Sequence, residues 1–225
     1  TMATDARVVR KNSKMVVYNL ESELPDLNTE IKISVTFAES GKVLEDVADF
    51  ADLYKTPAFE QQYCYTGDLG ALYTADATEF RVWSPISKEI KLRVYESGTP
   101  VNIDKNRGND KYDEYPMVLG EKGVWSCEVE GDLGGKYYTY VVTNNKFKNQ
   151  EIVDPYAKST GVNGLRGMIV DFSKTNPEGW ENVKIHEYNS TELTVYETHV
   201  ADLTSSTTWG GSRENQKKLK GFYES

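Results

Sequence analysis

The chain has 225 residues, with 26 Lys and Arg against 35 Asp and Glu, a formal charge of −9 and 38% hydrophobic residues. That is the balance of one large or two small globular domains, long enough to bury a core without disulfide or metal staples. A mean hydropathy of −0.60 and the absence of any apolar run near the roughly 20 residues of a spanning helix argue against a membrane protein. An acidic chain repels phosphate backbones, so nucleic acid is not an expected partner, whereas neutral ligands such as sugars are not disfavoured.

Two cysteines, Cys64 and Cys127, are too few for a disulfide scaffold or a thiolate cluster, although one bridge is open to them. Cys127 is in phase with Trp125 and Val129 and reads as a buried free thiol. Two histidines, His186 and His199, cannot alone make a His-rich metal site. No metal and no cofactor are expected. No basic-plus-apolar leader follows Thr1-Met2-Ala3, which favours a cytoplasmic protein over a secreted one with its leader removed. Fifteen Tyr and 4 Trp against 7 Phe suit both half-wet strands and the stacking faces of a carbohydrate binder.

The periodicity is mostly two, so strands dominate. Strands are predicted over 14–20 and 31–37, with a turn at Leu24-Pro25-Asp26. Over 43–54, Val43, Leu44, Val47, Phe50 and Leu53 recur at near-helical spacing, which predicts a short helix or irregular connection ended by Pro57. Strand 79–84 puts Phe80 and Val82 on one face and Arg81 and Trp83 on the other. Strand 89–96 puts Ile90, Leu92 and Val94 inside, with Lys91, Arg93 and Glu96 mostly outside. Residues 99–115 are polar and read as a long loop. Its Asp104, Asp110, Asp113 and Glu114 lack the ordered spacing of a calcium loop and read as solvated. Strands follow at 123–130, 136–144 and 168–171. Turn signals at such spacing argue an immunoglobulin-sized β-sandwich over about 67–172. A surface linker covers 173–192. Residues 193–200 (LTVYETHV) then form a mainly apolar β run, which suits a parallel strand covered on both faces.

From residue 56 onward the chain resembles the type I pullulanases of glycoside hydrolase family 13, over three quarters of its length. Gly67-Asp68-Leu69-Gly70-Ala71-Leu72-Tyr73-Thr74 precedes Phe80-Arg81-Val82-Trp83-Ser84-Pro85, the opening of a family 48 carbohydrate-binding module. Gly123-Val124-Trp125, Gly131-Asp132-Leu133 and Tyr137-Tyr138-Thr139-Tyr140 match its far strands. Val153-Asp154-Pro155-Tyr156-Ala157-Lys158, Val162-Asn163-Gly164 and Arg166-Gly167-Met168-Ile169-Val170-Asp171 match the exit toward a barrel. Val195-Tyr196-Glu197-Thr198-His199-Val200-Ala201-Asp202-Leu203 resembles the first barrel strand, with Ala201 where the family usually has Arg.

The resemblance implies a mostly β fold: an immunoglobulin-like β-sandwich module, preceded by a small β segment and followed by the first strand of a (β/α) barrel. The expected domains are residues 1–58, a sandwich over 59–175, a linker over 176–192 and the start of the barrel over 193–225. The implied parent hydrolyses α-1,6 links in pullulan, glycogen or amylopectin fragments by a retaining mechanism. The family's catalytic carboxylates lie on later barrel strands, so no catalytic residue is expected here and the chain alone is expected to be inactive. Glu197, His199 and Asp202, at the end of the barrel strand, are expected to support the site. A lone barrel strand leaves an apolar edge, which implies the remainder of the barrel as a companion chain, with α-glucan as the other partner. The rival readings are a stand-alone glucan-binding module and the equivalent region of an isoamylase or branching enzyme. No sugar-contacting residue is nominated. Trp83 and Trp125 are read mainly as packing, Tyr138 and Tyr140 as core, and Asp154-Pro155-Tyr156 as the hinge between module and barrel.

Overall fold

A computed structural model describes residues 6–11 and 16–20 as strands, and residues 26–37, 39–47, 51–184 and 187–224 with their side chains. Lys14, Met15, the Leu24-Pro25 part of the first turn, Phe50 and His186 lie outside the described residues. The chain divides into two compact units, Thr1–Asn176 and Pro177–Ser225. Among the described residues no helix is long and apolar enough to cross a membrane.

In the first unit, β1 (Ala6–Lys11) pairs antiparallel with β2 (Val16–Leu20), and β3 (Lys32–Thr36) pairs antiparallel with β4 (Val43–Val47). Residues 43–47 are thus a strand and not the start of a helix. Val43, Leu44 and Val47 fit a helical face locally, but the pairing of Leu44 with Val35 and Val43 with Thr36 decides against it. Pro57 likewise opens a helix instead of closing one. In α1 (Pro57–Tyr63) it occupies the first turn, and the Thr56 hydroxyl caps the Phe59 N–H at 3.2 Å. A proline there gives up only an N–H that the helix cannot use.

The sandwich follows. Its strands are β5 (Gly70–Tyr73), β6 (Ala77–Trp83), β7 (Glu89–Tyr95), β8 (Tyr112–Pro116), β9 (Val118–Leu119), β10 (Val124–Glu130), β11 (Tyr137–Thr143), β12 (Gln150–Ile152), β13 (Ser159–Thr160) and β14 (Gly167–Met168). One sheet has the order β5-β6-β10-β9. The other runs β13-β14-β11-β7-β8, with β12 also on β11. Successive side chains of a strand face opposite ways, so Phe80 and Val82 meet Leu92, Val94, Tyr138 and Tyr140 in the core. The Phe80 and Tyr138 rings cross between the sheets in a T-shape at 5.1 Å. Trp125 and Val129 are buried with them, and the free thiol of Cys127 packs against this core half-buried. Residues 112–116 are a strand and not part of a loop. Polar YDEYP hides a ladder with β7, and Met117 beyond it is buried as the chain passes to β9 in the other sheet.

Asp154 is not a hinge. It is 3% exposed and accepts from the hydroxyls of Tyr138 at 2.8 Å and Tyr140 at 3.3 Å. The segment after it returns to the sheet through β13 and β14.

The second unit holds α2 (Val200–Thr204) and α3 (Leu219–Phe222). The buried Thr204 hydroxyl donates to Val200 O and accepts from Lys217 N–H, both at 2.8 Å. The Trp209 indole donates to Gly221 O at 2.7 Å. The run 193–199 makes no ladder among the described residues, and Val195 and Tyr196 are 87% and 80% exposed. Parallel ladders join strands separated by crossover connections, and the described residues of this unit include no second strand.

Candidate functional site

The period of two that fills the core also sets the outer face of the larger sheet. Arg93 and Tyr95 point away from Leu92 and Val94. Their direct neighbours are Glu114 and Tyr112 on β8 and Thr139 and Tyr137 on β11. Directly opposite residues share a face, so charged and aromatic rows run across the strands.

The charged row is tightly connected. Arg93 donates to Glu114 at 2.9 Å and to Glu151 at 2.8 Å, and its guanidinium lies 4.2 Å from the centre of the Tyr112 ring. Glu151 also accepts from Tyr95 at 2.5 Å and Thr139 at 2.7 Å. Burial raises the Tyr95 hydroxyl to about 12, helped by this hydrogen bond. Burial works against the Glu151 charge, but the hydrogen bonds from Tyr95, Thr139 and Arg93 win and hold it below the usual carboxylate range. The Arg93 hydrogen bond lowers Glu114 in the same way.

Beside the row, Pro100, Asn102 and Asp110 of the loop 97–111 line one groove with Arg93 and the buried Tyr95. Arg166 stacks on that ring at 3.7 Å and pairs with Asp110 at 2.6 Å. This groove, between the loop and the charged row, has a volume of about 510 Å3, with Tyr112, Asn102, Ile152 and Leu165 at its rim. Tyr112 is 45% exposed. Here a partly open ring, an amide, paired charges and apolar rim residues converge, a combination that suits a neutral polyhydroxyl ligand.

Three of the acidic residues around 104–114 are engaged, and Asp113 is exposed. Asp104 caps the N–H groups of Asn106 and Arg107, Asp110 holds Arg166, and Glu114 holds Arg93. No group of three or more His, Cys, Asp or Glu suited to a metal occurs among the described residues. Trp83 is committed to packing. Its indole donates to Tyr63 O at 2.9 Å and Lys122 O at 3.0 Å, and its ring meets Phe59, fastening α1 to one end of the sandwich.

In the second unit, His199 and Asp202 meet at the start of α2. The His199 Nδ1 accepts from the Asp202 N–H at 3.3 Å and lies 3.2 Å from its carboxylate. Glu197 is exposed two residues earlier. The groove residues Tyr112, Glu151 and Arg166 were not singled out as a site by the sequence. Its one usable signal was the outward phase of Arg93 on β7.

Residues 68–157 match carbohydrate-binding module 48, the isoamylase N-terminal domain. The pullulanase of Bacillus subtilis is 32% identical over 150 residues, 67% of this chain and 19% of that protein. The solved pullulanase of Bacillus acidopullulyticus is 31% identical, with a TM-score of 0.71 over 91% of this chain and 23% of that one. That of Paenibacillus barengoltzii, in complex with maltohexaose and α-cyclodextrin, is 37% identical, with a TM-score of 0.63 over 74% of this chain and 24% of that one. The sandwich is a carbohydrate-binding module of family 48. The chain carries it in the setting of the N-terminal portion of type I pullulanases, and it spans about a fifth of the length of the curated pullulanases of Bacillus subtilis and Arabidopsis thaliana.

Proposed function

We propose that this chain is the N-terminal part of an enzyme that hydrolyses α-1,6 links in pullulan, glycogen or amylopectin fragments. The observation that carries this reading is the similarity to pullulanases on both sides of the module match, reaching 91% of the chain. The chemistry belongs to a barrel supplied by the rest of the polypeptide, joined or as a companion chain. There, two carboxyl groups about 5–5.5 Å apart act as nucleophile and acid/base, with retention at the anomeric carbon. The extended run 193–199 enters that barrel's parallel sheet, and Glu197, His199 and Asp202 support the site from its first strand. The module contributes binding. The groove beside Tyr112 takes a stretch of α-glucan, with a glucose ring on the open part of the tyrosine and hydroxyls on Asn102 and the edges of the charged row.

Pullulan digestion tests the enzymatic part. The chain joined to or mixed with the remainder of its polypeptide should release maltotriose, with the α-anomer appearing first by NMR. The 225-residue chain alone should release nothing. Hydrolysis by the chain alone, or β-anomer from the whole, refutes the reading. Retardation in amylopectin gels tests the groove, and Tyr112→Ala should abolish it.

A further inference from the structure

We infer that Arg166 is the positioning residue of the groove. It latches the loop over residues 98–108 so that Pro100 and Asn102 stand as a fixed wall for the glucan chain. The inference rests on reading the groove as a glucan contact.

The Arg166 side chain is 6% exposed, and its hydrogen bonds all go to the neck of that loop. One terminal nitrogen donates to the carbonyls of Ser97 and Asn109, each at 2.7 Å. These carbonyls stand on the two chain segments that enter and leave the loop. The other terminal nitrogen donates to Asp110 Oδ1 at 2.6 Å, and that same oxygen accepts the Val101 N–H at 3.2 Å. The guanidinium plane rests on Tyr95, whose hydroxyl is held by Glu151 on the groove floor. One side chain thus joins the loop's entry, its exit and the floor.

The chemistry requires arginine. A buried cation needs compensation, and only a planar fork of donors can meet two carbonyls and a carboxylate while stacking on a ring. Lifting the loop strips both carbonyls and the carboxylate from Arg166 at once and leaves it only the Tyr95 ring, so the loop is stiff while the latch holds. The turn that carries Arg166 is itself keyed to the neck. The Val162 N–H donates to Gly98 O at 3.1 Å, and Gly161 lies so close to Gly98 that a side chain there has no room. Farther out the loop is held by its own turns, the Ile103 and Asp104 N–H groups donating to Pro100 O and the Gly108 N–H to Asp104 O, with Val101 and Ile103 at 38% and 44% exposure. These turns shape the loop, and the neck ties it to the sheet. A wall fixed in advance spares the ligand the cost of ordering it.

The test uses the 225-residue chain with Arg166→Lys, the gentler Asp110→Asn and, as a groove control, Tyr112→Ala. Affinity for maltohexaose is measured by calorimetry and backbone order by amide hydrogen exchange. Arg166→Lys should weaken binding roughly tenfold through lost preorganisation and speed exchange in 98–108, leaving β6, β10 and β11 protected. Asp110→Asn should move both readouts in the same direction by less. Tyr112→Ala should lose binding with exchange in 98–108 unchanged. If Tyr112→Ala loses binding while Arg166→Lys keeps it, the latch is refuted and the groove reading stands. If the wild type does not bind maltohexaose, the groove reading falls and the inference with it. Unchanged exchange in 98–108 of Arg166→Lys refutes the latch whatever the affinity.

Discussion

The Tyr138 hydroxyl donates to Asp154 Oδ2 at 2.8 Å in the centre of the sandwich, and that carboxylate also receives Tyr140 and, on its other oxygen, the Tyr156 N–H. Three donors from two segments converge on one residue between the sheets. The contact fastens the segment from β12 to β13 to the core, and it makes Asp154 both an anchor and a burden at neutral pH.

Removing the anchor should be costly. Asp154→Ala leaves two core hydroxyls unpaired and is expected to lose about 2–4 kcal/mol of unfolding free energy. Asp154→Asn keeps an acceptor and should lose less. Burial raises the Asp154 carboxyl above the ordinary carboxylate range, and the hydrogen bonds only partly offset this. A raised folded value means that its favourable contribution is present below the unfolded value of about 3.9 and is lost as pH rises through the folded one. Urea titrations of wild type and Asp154→Asn from acid to neutral pH should therefore show the variant gaining relative to wild type as pH rises. A constant gap refutes this account.

The outer face should respond with the opposite sign. Glu114 and Glu151 are both held below the usual range by their partners. Their contribution is present above the unfolded value and lost as pH falls through the lowered ones. Glu151→Gln weakens the grip on Arg93 while Tyr95 and Thr139 keep an acceptor. With solvent screening of this half-exposed pair, the expected loss is about 1 kcal/mol at neutral pH, shrinking on acidification. Denaturant midpoints across pH for wild type and variant check it, and a loss that grows in acid contradicts it.

Trp83 predicts a local effect. Trp83→Phe keeps the contact with Phe59 but removes the N–H shared by Tyr63 O and Lys122 O. The expected loss is about 1–2 kcal/mol, with limited proteolysis first appearing between residues 57 and 66. If cleavage begins elsewhere, α1 is not held by the indole.

The sandwich core was legible because its chemistry is local. In β6 and β7 the alternation of apolar and polar residues states the face directly, and Phe80 and Leu92 fell where the phase put them. β11 is buried on both faces in its middle, and there Tyr138 and Tyr140 were legible from the period of two they share with Val142. The groove was hidden because its parts acquire meaning only across long separations. Glu114 and Tyr112 sit in a segment too polar to read as a strand until β7 pairs with it. Arg166 stood in a landmark block, but Ser97 and Asn109, its partners, lie 69 and 57 positions away. β4 shows the same limit, since Val43, Leu44 and Val47 satisfy two periods and only their partner strand chooses. The buried role of Asp154 was masked by Pro155, which reads as a turn in any context.

His199 separates support of a fold from support of a site. Its Nδ1 caps the first turn of α2, a helix of five residues, from a side chain that is 71% exposed. Loss of such a cap costs about 0.5–1 kcal/mol, so His199→Ala should leave the isolated chain nearly as stable as wild type. Glu197→Gln, at an exposed position, should change stability by less than about 0.5 kcal/mol. If both residues support the catalytic centre from the first barrel strand, the same substitutions in the whole enzyme should lower kcat on pullulan at least several-fold, with glucan binding by the module unchanged. Paired measurements of thermal midpoint in the chain and kcat in the whole enzyme decide it. Unchanged kcat removes these residues from the site. A large fall in the chain's own midpoint moves His199 from site support to the folding of its unit.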